Sequence, residues 1–224
     1  MKNKRGSHVG VIASFGVFVL FLVAIYFIAE PVITVQRDKQ NMLEYLETNL
    51  IKEFSSNLTT AIVSSTGGSC LEVANSALEI SDGLNAIVKD ANNNVIGSQF
   101  SGNTLHIGSS SEQILWIYYS EVEFSSSSAS CETYETPTIE SVRSNEQIFE
   151  KKITNAIEDY DNFVLRLNIP PGSEFGFTFE YNNGTQINMG EQDVTTNVYV
   201  KELPMQYIDK DANTLLGKLI IKTW

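Results

Sequence analysis

The stretch Val9–Ala29, VGVIASFGVFVLFLVAIYFIA, decides how this chain is read. It contains no charged side chain. Wound as an α-helix at 1.5 Å per residue it would be about 30 Å long, the thickness of a bilayer's hydrocarbon core. A helix buried in a soluble domain rarely stays apolar all round over such a length. The expectation is a transmembrane helix over residues 7–30, with membrane lipid as its first partner.

On its N-terminal side lies a basic head, residues 1–6 (MKNKRG), with Lys2, Lys4 and Arg5 and no acid. Basic residues before a span predict a cytoplasmic N-terminus and an extracellular remainder. The formal net charge of the 224 residues is −12, and all 27 acidic side chains lie beyond Ala29. Such a surface repels nucleic acid and anionic headgroups, so no nucleic-acid partner is expected. The apolar run ends IYFIAEP, bulky where a signal peptidase wants small side chains, so the helix is expected to stay in the mature protein.

On the other side the pattern continues as an amphipathic helix over residues 31–66. Leu43, Leu46, Leu50, Phe54, Leu58 and Ile62 recur at three and four, with Arg37, Asp38, Lys39, Glu44, Glu47, Lys52 and Glu53 opposite. Pro31 removes a backbone donor and crowds the carbonyl of Phe27, which predicts a kink at the membrane surface. Gly67-Gly68 is expected to end the helix. Gly10 and Ser14 lie four apart beside Ala13, a spacing that allows helices to approach closely.

These features together resemble an archaeal type IV pilin or pilin-like protein with a class III signal peptide: a basic head ending Lys4-Arg5-Gly6, a charge-free helix, a proline near its outer end and an amphipathic continuation. The resemblance covers about residues 1–65. It implies that a prepilin-type peptidase cuts between Gly6 and Ser7. It also implies that residues 9–29 pack against other copies or other pilin-like subunits in a filament core, with the head outside. The acidic residue that bacterial members carry just inside the apolar stretch is absent from Ser7-His8-Val9-Gly10-Val11.

Residues 67–224 read as an α+β head domain, mainly antiparallel β with one further helix. Residues 70–81 are a short helix or a loop. Strands are expected at 85–89, 95–100, 104–107 and 114–124 (ILWIYYSEVEF), with a turn at 90–94 and a flexible SSSSAS at 125–130. A helix is expected at 145–160, with Ile148, Phe149, Ile153, Ala156 and Ile157 on one face. Further strands are expected at 163–169, 175–181, 185–189, 194–203 and 215–224, with Asn182-Asn183-Gly184 as a type I′ hairpin signal.

Cys70 and Cys131 lack the spacing of a zinc site. Outside a membrane they are expected to form one disulfide; the alternative is two free buried thiols. Asn57-Leu-Thr59 and Asn183-Gly-Thr185 are glycosylation sequons, suited to the same compartment. Asp209, Asp211 and Asn213 imitate the opening of a calcium loop. Thr214, however, stands where that loop needs glycine and Ile220 where it needs the bidentate glutamate, so a turn is the expected reading. Asp90, Asn92 and Asn94 repeat the pattern more weakly. His8 and His106 have no second histidine or cysteine nearby, and no catalytic or nucleotide-binding motif is present. No cofactor and no enzymatic activity are expected. The expectation is a structural filament subunit, a minor one given its large acidic head; the alternative is a monomeric, membrane-anchored binding domain.

Overall fold

The computed structural model describes residues 6–66, 69–78, 84–125, 128–129, 131, 133–170, 174–190 and 197–224, without the side chains of residues 6–9 and 31–33. The basic residues Lys2, Lys4 and Arg5, Gly67-Gly68 and the segments 79–83 and 191–196 fall outside them. The architecture is α+β, with one long N-terminal helix and antiparallel sheets.

Helix α1 runs from Gly6 to Phe54, 49 residues, and its assignment continues through Pro31. One proline removes one rung of the ladder and leaves the rest of so long a helix intact. The helix was expected to reach residue 66. Instead strand β1, Ser55–Ser64, follows directly. The reason lies in its composition: Thr59, Thr60, Ile62 and Val63 are stiff at Cβ and favour strands. The four-residue step from Leu58 to Ile62 is even, so it satisfies a strand's period of two as well as a helix's.

From β1 the chain builds a sandwich and returns. Strands β2 (Cys70–Ala74), β3 (Asn85–Asp90), β4 (Val95–Ile96), β5 (Ser98–Ser101), β6 (Thr104–Ile107), β7 (Ile114–Ser120), β8 (Tyr134–Glu135) and β9 (Thr138–Ile148) form two sheets. Their orders are β4-β3-β7-β1-β9 and β5-β6-β2-β8. The expected strand at 95–100 is split at Gly97, where a Cβ would lie 2.5 Å from the carbonyl oxygen of Ser128. Residues 70–74, within the segment 70–81 expected as helix or loop, pair with β6 and are followed by a 3-10 turn at Asn75–Ala77. Between the sheets lie Ala61, Val63, Leu71, Val73, Leu105, Ile107, Leu115, Ile117 and Tyr119.

Strand β9 runs antiparallel to β1 from Ser64↔Thr138 down to Ser55↔Ile148, so the sandwich starts and ends at the same point. There the Phe149 amide donates to the Phe54 carbonyl at 3.0 Å. The sandwich is therefore an insert at the end of α1 remote from the apolar segment. The helix expected at 145–160 starts later, as α2 (Glu150–Glu158), because Asn145–Ile148 are drawn into β9.

A second short helix, α3 (Tyr160–Leu167), replaces the strand expected at 163–169. Phe163 and Leu167, four apart, point together into the core, and Asn168 ends the helix in the left-handed conformation, φ 48°. Strands β10 (Phe175–Tyr181), β11 (Gln186–Met189), β12 (Tyr199–Ile208) and β13 (Thr214–Thr223) form the last sheet, order β11-β10-β13-β12. Pro204 sits in β12, an edge strand, where a residue without a backbone donor is tolerated.

That sheet, α2 and α3 close over the C-terminal part of α1. Met42, Leu43, Leu46, Leu50 and Phe54 are each at most 7 % exposed, packed with Ile153, Phe163, Phe177, Phe179, Leu219 and Ile221. Each such side chain contributes about 1.5–3 kcal/mol by leaving water. Polar contacts fix the helix's angle on this lobe. The Tyr45 hydroxyl donates to the Leu167 carbonyl at 2.8 Å, Lys39 Nζ to the Trp224 carbonyl at 2.7 Å, and Lys201 pairs with Glu47.

Candidate functional site

The same helix has a second, opposite character toward its N-terminus. Every large apolar side chain from Val11 to Ile28 is between 40 and 74 % exposed. The most apolar window of α1 has a mean hydropathy of 2.8 and none of it is buried. One N-terminal helix is thus long and apolar enough to cross a membrane. Gly10, on this segment, has no atom within 4 Å of where a Cβ would stand, so its small size answers no contact inside the chain. Gly6 and Ser7, flanking the expected cut, begin the helix.

The expected calcium-like segment is a turn of a particular build. Asp209 Oδ1 accepts the amides of Asp211 (2.9 Å) and Asn213 (2.7 Å), and Asn213 Nδ2 donates to Asp209 Oδ2 at 2.9 Å. The Asp90 turn is the same object: Oδ1 accepts the amides of Asn92 (2.9 Å) and Asn94 (2.8 Å), and Asn94 Nδ2 donates to Oδ2 at 3.0 Å. Those bonds hold the Asp90 carboxyl below its usual pKa, the Asn94 side chain first. Both turns place their fourth residue at positive φ, Asn93 at 65° and Ala212 at 54°. The remaining carboxylate, Asp211, accepts the Ser125 hydroxyl at 2.5 Å. Among the described residues no three or more His, Cys, Asp or Glu side chains are gathered as a metal would need.

The two turns meet. Asn93 Nδ2 donates to Asn213 Oδ1 at 2.9 Å, and Lys89 Nζ donates to Asn213 Oδ1 at 2.6 Å and to Asn93 Oδ1 at 3.2 Å. Lys89 is 1 % exposed. Burial lowers its pKa, and the charges of Asp209 and Asp211 act in the other direction. A cation does stand beside this turn: it is the chain's own ammonium. Around it Leu58, Ile87, Val122, Phe149, Ile208 and Ala212 form the apolar contact between sandwich and spine lobe. Nothing in the sequence singles out Lys89, because a lone lysine in a strand is ordinarily a solvent-facing residue; the repeated Asp-x-Asn/Asp-x-Asn is the only signal that pointed here.

The cysteines are joined as Cys70–Cys131, Cα–Cα 6.4 Å, closing a separation of 61 residues. Asn57 is exposed on β1 and its carbonyl accepts the Ser120 hydroxyl. Asn183 is exposed in the β10–β11 turn, its Oδ1 accepting the Thr185 amide at 2.9 Å. His106 is half-buried in β6, its ring 4.4 Å from that of Tyr134.

Comparison of the chain with protein-family models, with curated proteins and with solved structures returns no match.

Proposed function

We propose that the protein is a pilin-like structural subunit, anchored by one helix and assembled through it into an extracellular filament or the complex that starts one. The observation that carries this reading is the division of α1. Its C-terminal part is the core of the head, whereas Val11–Ile28 is a bare apolar rod continuous with it. A rod rigidly joined to a head transmits subunit packing to the surface; a flexible tether would not. Membrane lipid covers the rod first, and other copies or pilin-like subunits replace the lipid. Packing among membrane helices is driven by close contact and hydrogen bonding, for which Gly10 and Ser14 leave room.

Lys2, Lys4 and Arg5 orient the span with the N-terminus in the cytoplasm and the head outside. A disulfide and an acidic surface suit that side. A prepilin-type peptidase would then cut between Gly6 and Ser7. Intact mass of the native protein tests the reading: the expected mature chain begins at Ser7, and a chain still beginning at Met1 or Lys2 counts against it.

A further inference from the structure

Lys89 is a buried nucleophile that the filament reading does not use. Its side chain is 1 % exposed, yet it belongs to none of the ion pairs among the described residues. A buried charge is ordinarily paired with an opposite one. Here Nζ instead faces two amide oxygens, Asn213 Oδ1 at 2.6 Å and Asn93 Oδ1 at 3.2 Å. The apolar contact of Leu58, Ile87, Val122, Phe149 and Ile208 lies beside it, and the centre of the Tyr118 ring is 5.8 Å away. Burial lowers the lysine's pKa against the opposing charges of Asp209 and Asp211, which brings the neutral, nucleophilic amine within reach.

The Asn213 amide is held as an electrophile needs to be. With a C=O bond of about 1.23 Å, Nζ stands no more than about 3.8 Å from Cγ, close to the separation of a near-attack conformer. Asn93 Nδ2 donates to Asn213 Oδ1 at 2.9 Å, the atom on which negative charge develops during attack. Asn213 Nδ2, the nitrogen that has to leave, donates to Asp209 Oδ2 at 2.9 Å. That carboxylate is itself fixed, because Oδ1 accepts the amides of Asp211 and Asn213. The Nδ2 of Asn93 faces an amide oxygen and not a carboxylate, so Asn213 rather than Asn93 is the partner.

We infer that the folded chain joins Lys89 to Asn213 by an intramolecular isopeptide bond. The ammonium first sheds one proton to solvent, which the exposed Asn93 borders. The neutral amine then attacks Cγ, and Asp209 takes the surplus proton of the attacking nitrogen. The Nζ–Cγ bond forms and the Cγ–Nδ2 bond breaks. Asp209 passes its proton to Nδ2, which departs as ammonia. Nothing is oxidised or reduced, and no co-reactant is needed. The link fastens β3 of the sandwich to the β12–β13 turn, across 124 residues. The sandwich is then held to the spine lobe by a covalent bond besides its two chain crossings, at Phe54-Ser55 and Ile148-Phe149. The inference does not depend on how the apolar helix is used.

The test takes the full-length chain, folded in mild detergent, then reduces it and digests it with trypsin, which does not cut after an acylated lysine. The expected result, read by tandem mass spectrometry, is a branched peptide in which uncut Lys89 carries Asp211–Lys218. It is lighter than its two parts by one ammonia. Lys89→Met removes the nucleophile. Asp209→Asn removes the proton carrier, while its side-chain oxygen still accepts the turn's amides. Both variants should unfold cooperatively on heating and release Asp211–Lys218 free, since loss of the base slows linkage at least about a hundredfold. Asp209→Asn also supplies the unlinked chain, in which Lys89 and Asn213 act by hydrogen bonding alone. A wild-type chain that unfolds cooperatively yet releases Asp211–Lys218 free overturns the inference. So does loss of ammonia without the branched peptide, which assigns the loss to succinimide formation at an asparagine. Full linkage in Asp209→Asn overturns the role given to Asp209.

Discussion

Lys89 Nζ lies 2.6 Å from Asn213 Oδ1, and that bond joins β3 of the sandwich to the β12–β13 turn of the spine lobe. The same ammonium lies 5.8 Å from the centre of the Tyr118 ring. Lys89→Ala removes the donor shared by two amide oxygens and leaves a cavity at the junction. The expected cost is about 2–4 kcal/mol. Asn213→Ala costs less, and the double variant costs less than the two losses added, since both remove one contact. Urea unfolding in mild detergent measures all three; simple additivity would mean that the contact carries no energy.

The disulfide gives a second expectation. Closing 61 residues restricts the unfolded chain by about 4 kcal/mol on the loop-entropy argument. Replacing Cys70 and Cys131 by serine should lower the sandwich's stability by that order while leaving the α1-centred core folded. Hydrogen exchange read separately on β2, β6 and β7 and on β10 and β13 distinguishes the lobes.

The two ends of α1 should respond oppositely to the same substitution. Phe54 is fully buried, its ring 5.9 Å from that of Phe163 and 5.4 Å from that of Phe177. Phe54→Ala should destabilise the head by about 3–5 kcal/mol. Phe27, 69 % exposed, touches none of that core, and Phe27→Ala should leave the head's unfolding midpoint unchanged while weakening self-association in detergent. Thermal unfolding and sedimentation of the two variants decide it.

Alkaline pH probes the spine lobe. Burial, then the charge and hydrogen bond of Glu150, push the Tyr181 hydroxyl well above the usual phenol range; Tyr207 is raised by burial, Glu150 and Asp209. In the unfolded chain both titrate near pH 10. A raised folded pKa means that the native state keeps a proton the unfolded state would lose. Stability is therefore fully present below about pH 10 and falls as pH rises through the folded values. Absorbance at the tyrosinate band should show a subset of the nine tyrosines ionising only as the head unfolds. A single early step with the fold intact would contradict this.

What was legible in the sequence follows from how many interactions each element needs. Val9–Ala29 was legible as a helix long and apolar enough to cross a membrane, because length and the absence of charge are read from the residues alone. The Asn182-Asn183-Gly184 hairpin and strand β13 are likewise local, but the turn is not the type I′ expected: of its three residues Gly184 alone takes a positive φ, 82°. The end of α1 was not legible, since Leu58 and Ile62 fit either period and only pairing with β7 and β9 makes 55–64 a strand. Residues 163–169 erred in the other direction: an alternating FVLRLNI suggests a strand, yet Phe163 stacks on Phe54 and makes a helix the better fit. The lobe junction was hidden for the same reason. Lys89 and Asn213 are 124 residues apart, and nothing short of the fold brings them together.

The central claim is that Val11–Ile28 forms the contact between subunits in the membrane or filament. A photo-crosslinking amino acid at Phe18, 55 % exposed on that rod, reports on it directly in native cells. The account predicts a ladder of adducts, either at multiples of the mature chain (the 24.9 kDa chain less its first six residues) or with other single-helix subunits, lost when the crosslinker is moved to the buried Leu46. A crosslinker at Phe18 that captures only lipid, in protein shown to be membrane-bound and folded, would contradict it.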